Sequence, residues 1–505
     1  LERHGSSVRP VVVVHLSFEG PDPYARAGGL GTRVMGLDDA LAAAGVPVHL
    51  LFVGDPDAPA QESRGPQGNL HLYRWCQWIS AHHRNGVYAG EEVKVADYSR
   101  TVPEFVVERL VRPALAEDKL PVILAEDWQT AEALCNLSDL LHERGMRRSS
   151  ILVWNANNTM GFERINWGRL GYVAHLATVS HYMKHQMWQM GFNPVVIGNG
   201  IEPAWLDAPD PGGVSALREA VLLSGHTDLF VKVARWDPDK RWEMAIQAMA
   251  QLRREGRRPT LVVRGGLEPY GGQVRNLAES LGMRWRRVAT FEPLARHPEA
   301  PWAEDVLRES DVLEIDAVLD RDRLRALYAA ADGVLANSGM EPFGLVGLEA
   351  MASGGIAYTG ATGEEYARPF ENAVVLETDD PAEIVAYARM LAGEPRLAAA
   401  IRRSARETAR RFTWPRTVAH LFHRLAYLSE REGLPCPSPA PSPTVRSDVR
   451  LRRSPRHPAA LRKEDVQNVG VGGHLSAAAS APPAAVAGAA DPARRLTRGD
   501  RPLSL

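Results

Sequence analysis

Short runs of β-branched and aliphatic residues recur along the chain, each followed by a turn and then by apolar residues at helical spacing. Val11-Val12-Val13-Val14 is the first, with no polar interruption, as a strand buried on both faces requires. A glycine-rich turn leads from it into a stretch where Leu37, Leu41 and Ala44 repeat at helical spacing, with Gly45 placed as a C-cap. Val48 to Val53 then reads as a second buried strand. The alternation continues through Val122–Ala125, Ile151–Trp154, Leu176–Ser180 and Val195–Ile201. It resumes at Leu229–Ala234, Leu261–Val263, Gly333–Ala336 and Ala373–Leu376. Strands alternating with helices predict an α/β protein with parallel sheets. Ala208-Pro209-Asp210-Pro211-Gly212-Gly213 has linker composition and divides the pattern into two Rossmann-like domains, 8–205 and 206–412, facing a cleft. A last helix, 413–432, carries Val418, Leu421, Leu425 and Leu428 on one face. Residues 55–105 have no clear period, although Trp75, Trp78, His82 and His83 form an aromatic and polar group suited to an acceptor cleft. From 433 to 505, Pro-x-Pro repeats, Arg clusters and Ala/Pro runs leave too few large apolar residues to offset ordering entropy, and a disordered tail is expected.

Composition narrows the class without naming it. The 505 residues suffice for two ordinary domains and a tail, and 45% hydrophobic with 24% charged residues is globular. A formal net charge of -2 gives no reason to expect nucleic acid or an anionic membrane as the main partner. The 3 cysteines (Cys76, Cys135, Cys436) are odd in number and scattered, which fits a reducing compartment better than a disulfide framework. No stretch approaches the roughly 18 apolar residues of a membrane span, and nothing near the N-terminus resembles a signal peptide, so the cytoplasm is the expected location. Leu1 in first place reads as a fragment or an alternative start. Oligomeric state is left open.

The chemistry concentrates between Asn337 and Glu365. After the strand Gly333–Ala336 comes a turn, then a helix expected from near Phe343, with Leu345, Leu348 and Met351 facing inward. Gly344 keeps bulk away from the first unpaired amides, and such a helix start is a natural anion site. Glu341 stands before those donors and Glu349 within the helix, roughly 12 Å apart at about 1.5 Å per residue. Carboxylates that far apart hold opposite ends of an extended ligand with an anionic middle. An isolated pair of this kind commonly does no more than complement the helix dipole. The glycine loops at Ser353-Gly354-Gly355 and Thr359–Gly363 count against that simpler account. In the second domain Arg235 and Lys240 follow a strand with four residues between them, a planar fork and a mobile point charge suited together to a diphosphate. Gly28-Gly29-Leu30-Gly31 lies between a strand and a helix, where the backbone can approach a phosphate, with Arg26 beside it. His181 and His185 share a helix face, but that spacing without a third ligand is a weak metal signal.

These residues carry a resemblance. The segment Glu341-Pro342-Phe343-Gly344-Leu345 is close to the E-P-x-G-L form of bacterial glycogen synthases, and the whole stretch resembles the E-x7-E motif of retaining GT-B glycosyltransferases, the family of sucrose synthase-like enzymes and of glycogen and starch synthases. The resemblance runs from residue 8 to residue 430 or so and implies the GT-B fold, in which the terminal helix, here 413–432, crosses back onto the first domain. It implies that Arg235 and Lys240 clamp the donor diphosphate, helped by the amides of Gly344 and Leu345 next to Phe343. Glu341 would contact the donor sugar and Glu349 the ribose. It places Gly28 and Gly29 at the donor phosphates, with Arg26 where the family has Lys. Asp127-Trp128-Gln129-Thr130 is similar to the family's H-D-W-Q-T, which puts Asp127 at the sugar site and Glu126 where the family has His. Asn199 matches a sugar-site Asn. The His-Asn pair of the family has no His here, so that role is vacant or passes to Asn155 or Asn157. The implied activity is transfer, with retention, of a sugar (a glucosyl group by these motifs) from a nucleotide-diphosphate sugar to a carbohydrate or small-molecule acceptor, with no cofactor and no bound metal.

Three rival readings exist. A glycoside hydrolase needs carboxylates about 5–9.5 Å apart, closer than the helical spacing of Glu341 and Glu349. A nucleotide-sugar epimerase can share the architecture and would form product without an acceptor. A non-catalytic sugar-nucleotide binding protein finds support in the missing His near Asn155, against an intact Arg235, Lys240 and Glu341.

Overall fold

The computed structural model describes residues 8–266, 268–289, 306–360 and 363–439. Two sheets organise them. The first takes β1 (Val8–Leu16), β2 (Val48–Val53), β3 (Gln61–Arg64), β4 (Leu70–Trp75), β5 (Leu120–Glu126), β6 (Ile151–Ala156), β7 (His175–Thr178) and β8 (Val195–Val196) in the order β3-β4-β2-β1-β5-β6-β7-β8. The second takes β9 (Asp228–Val233), β10 (Pro259–Arg264), β11 (Trp285–Val288), β12 (Val312–Ile315), β13 (Gly333–Ala336), β14 (Ala357–Gly360) and β15 (Val374–Leu376) in the order β11-β12-β10-β9-β13-β14-β15. Every pairing is parallel except β3 with β4. Parallel strands are covered by helices on both faces, and Val11 to Val14 are accordingly buried on both sides of β1. This is the two-domain GT-B architecture.

Three stretches come out differently from their sequence pattern. Residues 55–105 contain the β3–β4 hairpin at the sheet edge and the helix Glu91–Phe105. The period is obscured because Arg74 takes an inward position on β4, where its guanidinium grips Asp22 at 2.8 and 2.9 Å. In the supposed linker, Asp210 caps a helix, Pro211–Leu223, by accepting from the amides of Gly212 and Gly213. Pro at the first helical position and an Asp cap read equally well as loop. The expected disordered tail fails for its first residues. Cys436–Ser438 forms β16, which pairs with Val8–Pro10 at the start of β1. Residues 440–505 lie outside the described residues.

The last helix, Trp414–Glu432, returns to the first sheet. Trp414, Val418, Leu421, Leu425 and Leu428 are buried in one cluster with Val34, Leu37 and Leu41 of the helix Gly29–Ala43. Gly36 makes this possible, since a Cβ there would stand 2.1 Å from the Trp414 indole nitrogen. The two crossings of the chain meet at Ile201, whose amide donates to Phe412 O and whose carbonyl accepts from the Trp414 amide. Among the described residues no helix is long and apolar enough to cross a membrane.

Candidate functional site

In the second lobe the site is built where β9 and β13 end. The loop after β9 closes in the short turn Pro238–Lys240, which Asp237 caps. The loop after β13 delivers Glu341, and the Lys240 ammonium donates to its carboxylate. The helix that follows is Leu345–Ala352, two residues later than the expected start at Phe343. Gly344 precedes it at φ +82, a left-handed conformation that costs a non-glycine residue, and its carbonyl accepts from the Tyr366 hydroxyl. Phe343 is therefore outside the helix, and is buried against Tyr366 and Phe412. Leu345 is the first helical residue, with its amide among those left unpaired within the helix. Glu349 lies half-buried within that helix. Burial, reinforced by Glu202 and opposed by Arg321, pushes its carboxyl up to about 8. Arg235 is 54% exposed and has Asp237 at 3.8 Å, so it and Lys240 leave the same loop with different partners.

In the first lobe Asp127 opens the helix Asp127–Glu143 at φ +58, a strained setting for a non-glycine residue of the kind found at ligand sites. Its carboxylate accepts from the Asn157 amide at 2.7 Å and from the side chains of Asn157 and Asn158. Burial, reinforced by Glu126, lifts it to about 7. The residue before it is the hub of a buried network. Glu126 accepts from Asn155 at 2.8 Å and Asn157 at 2.7 Å, and meets His15 and the Arg33 guanidinium, each at 3.3 Å. Arg33 continues to Asn199 at 2.6 Å, and His15 to Asp38 at 2.7 Å. Asn157 thus links Asp127 to Glu126, and Arg33 links Glu126 to Asn199; Arg33, with His15 and Asp38 behind Glu126, was in none of the motifs. Burial alone would discharge the His15 imidazole, but Asp38 and Glu126 outweigh it and raise it to about 9. Burial would likewise neutralise Glu126, but Arg33 and His15 hold it at about 2. Of its members outside the motifs, His15 alone gives an advance sign, a polar residue at the end of an otherwise aliphatic strand.

The glycine loop has an occupant of its own. One carboxylate oxygen of Glu19 accepts from the amides of Ala27, Gly28 and Gly31 at 3.0–3.2 Å. The other accepts from the Tyr88 hydroxyl at 2.6 Å. The Gly28 amide is therefore engaged within the protein, and what Gly28 and Gly29 leave open is space, for a Cβ at either would meet nothing within 4 Å. Arg26 is exposed, its guanidinium 3.4 Å from Pro21 O. Tyr88, stacked on Phe18 and partly exposed, feels the charges of Glu19 and Asp127 and has no sequence signal. The aromatic group of residues 75–83 is dispersed. Trp75 bonds Thr101 and packs on Phe105, while Trp78 is exposed. His181 is not paired with His185 through a metal-like cluster; its amide and ring both meet Glu365 of the other lobe, at 2.9 and 3.0 Å. Among the described residues no group of three or more His, Cys, Asp or Glu is arranged to hold a metal ion.

Comparison with known proteins agrees with this geometry. Residues 313–408, which include Glu341 through Glu349, match the family model described as Glycosyl transferases group 1. No curated protein sequence matches the chain. Among solved structures, sucrose-phosphate synthase from Thermosynechococcus elongatus is 16% identical over 83% of this chain and 100% of its own, with a TM-score of 0.58. The catalytic domain of starch synthase IV from Arabidopsis thaliana, bound to ADP and acarbose, is 18% identical over 84% and 99%, also at 0.58. The Anabaena protein HepE, in complex with UDP and glucose, is 17% identical over 82% and 100%, at 0.55.

Proposed function

We propose that this chain of GT-B fold is a retaining glycosyltransferase that takes a hexosyl group, glucosyl by preference, from a nucleoside-diphosphate sugar. The observation that carries the proposal is the meeting of Lys240 and Glu341 at the start of the helix Leu345–Ala352. The ammonium and the helix N-terminus supply positive potential to a departing diphosphate, and charge held ready in this way lowers the barrier more than any other single effect in many enzyme sites. Arg235, exposed on the same loop, folds over the diphosphate when the donor binds. Glu341 then passes from Lys240 to the sugar, where its carboxylate stabilises positive charge developing at the anomeric carbon. Glu349 accepts from the ribose hydroxyls. Across the cleft, Asp127 and Tyr88 with the Asn155, Asn157 and Asn199 network receive the transferred sugar and an acceptor, a carbohydrate or a small molecule. The leaving phosphate takes the acceptor proton on the face from which it departs, so the reaction asks for no separate base. Neutralisation by these cations also makes a bound divalent ion unnecessary.

Nucleotides bound in the similar structures, UDP in HepE and ADP in starch synthase IV, make UDP- and ADP-sugars the first donors to try. A thermal-shift panel of UDP-, ADP- and GDP-sugars on the full chain, followed by donor turnover with candidate acceptors, tests the reading. Arg235→Ala and Lys240→Met should each lower kcat at least tenfold. Turnover unchanged in both variants, or no shift with any nucleotide sugar, would remove it. Product appearing without added acceptor would point to epimerisation.

A further inference from the structure

β9 runs through the core of the second lobe and carries a lysine in its middle. Lys232 is 1% exposed. Its amine donates to Leu335 O at 3.2 Å and to Asn337 Oδ1 at 2.5 Å, and lies 5.0 Å over the Trp242 ring. A buried charge-bearing group is costly, and well-packed apolar residues commonly replace such groups without loss of stability. Its presence under the candidate site therefore calls for a reason beyond packing.

The contacts supply one. Asn337, held by Lys232 through its carbonyl oxygen, uses its amide nitrogen to donate to Arg241 O at 3.3 Å. Two residues on, the Gly339 amide donates to Asp239 O at 2.8 Å. Lys240 and Glu341 make the third link. The loops 237–241 and 337–341 are thus joined at three points, and Lys232 stands beneath them. The Arg241 backbone is itself left-handed, at φ +49, so the first loop is held in a shape that it would not keep by local preference. Lys232 also senses the site electrically. Burial drives its amine well below the ordinary lysine range, Lys240 pushes the same way, and Glu341 opposes.

We propose that Lys232 is a positioning residue: acting through Asn337, it sets the loop 337–341 against the loop 237–241 so that Glu341 and Lys240 meet. The assignment rests on reading Lys240 and Glu341 as donor-site residues. Lys232 is buried beneath the loops, and its hydrogen bonds reach them through Asn337.

Turnover of UDP-glucose and ADP-glucose by the full chain, with melting temperature recorded alongside, gives the test. Lys232→Met should lower kcat at least tenfold while the donor KM moves less than threefold. Asn337→Leu should do the same, because the two act in series. A double-mutant cycle separates positioning from mere support of the fold. Added to Lys240→Met, the Lys232→Met change should cost less than a further twofold in kcat, since the pairing it maintains is already gone. A further tenfold loss, or a single Lys232→Met variant within threefold of wild type, would overturn the assignment. If the wild-type chain turned over no UDP-, ADP- or GDP-sugar with any candidate acceptor, the transferase reading would fall and this assignment with it. Wild-type turnover with an unaffected Lys232→Met variant would remove this assignment alone.

Discussion

Glu349 shows what a single side chain's surroundings do to a role read from spacing. Its carboxyl, raised to about 8, is largely protonated at neutral pH without a ligand, whereas ribose hydroxyls bond best to the ionised form. Donor affinity should therefore rise with pH toward about 8, by up to about tenfold per unit, since each unit is ~1.4 kcal/mol. Calorimetric titration of UDP or ADP between pH 6 and 8.5 checks this, and Glu349→Gln should flatten the profile. His15 gives the corresponding statement for stability. Its folded value, about 9, lies above the unfolded one, so its contribution is fully present below about 6.5 and is lost as pH rises through 9. The full loss is on the order of 3 kcal/mol. Denaturant melts at pH 6.5 and pH 9 should show the fall, and a His15→Gln variant should show much less of it.

At the scale of elements, the helix Trp414–Glu432 is a piece of the first lobe supplied by the far end of the sequence. Its register is set by Trp414 over Gly36. Trp414→Ala should cost about 3–5 kcal/mol of unfolding free energy, the usual range for truncating a buried aromatic. Urea denaturation followed by circular dichroism measures it. The helix face was visible beforehand from Val418, Leu421, Leu425 and Leu428. Its return to the first lobe was expected from the resemblance, but its seat was not, because Gly36 is an ordinary small residue until the indole is laid across it. The same holds for the site loops. The strand ends at β9 and β13 follow from aliphatic runs, but nothing local indicates that Lys232 and Asn337, 105 residues apart, would meet.

For the molecule as a whole, Glu365 and His181 form a direct tie across the cleft outside the shared core. Glu365 binds both the ring and the first amide of the helix His181–Gln189, so it uses the helix dipole as well as the side chain. His181 is exposed, and exposed ion pairs contribute about 0–1 kcal/mol. A tie of that size biases lobe closure without enforcing it. Glu365→Ala should shift the open–closed balance by no more than about fivefold, read as a small rise in radius of gyration by X-ray scattering in solution, with melting temperature nearly unchanged. A large loss of stability would mean that the contact carries more than closure.

The position and type of the main strands and the presence of two parallel-sheet lobes were determined by the sequence alone, because hydrophobic period and glycine placement are local properties. The same locality explains the failures. A strand such as β4, with Arg74 turned inward, hides its period, and an Asp-Pro-Gly-Gly cap looks like a linker. Only the tertiary structure decided which charges neutralise one another. His15, Arg33, Asp38 and Glu126 come from three separate elements and balance only once buried side by side. Glu19 claimed the glycine-loop amides in the same way, for a carboxylate eight to twelve residues upstream reaches them only when the chain has turned back. Burial and long-range pairing set those ionisation states, and neither can be read from a linear order of residues.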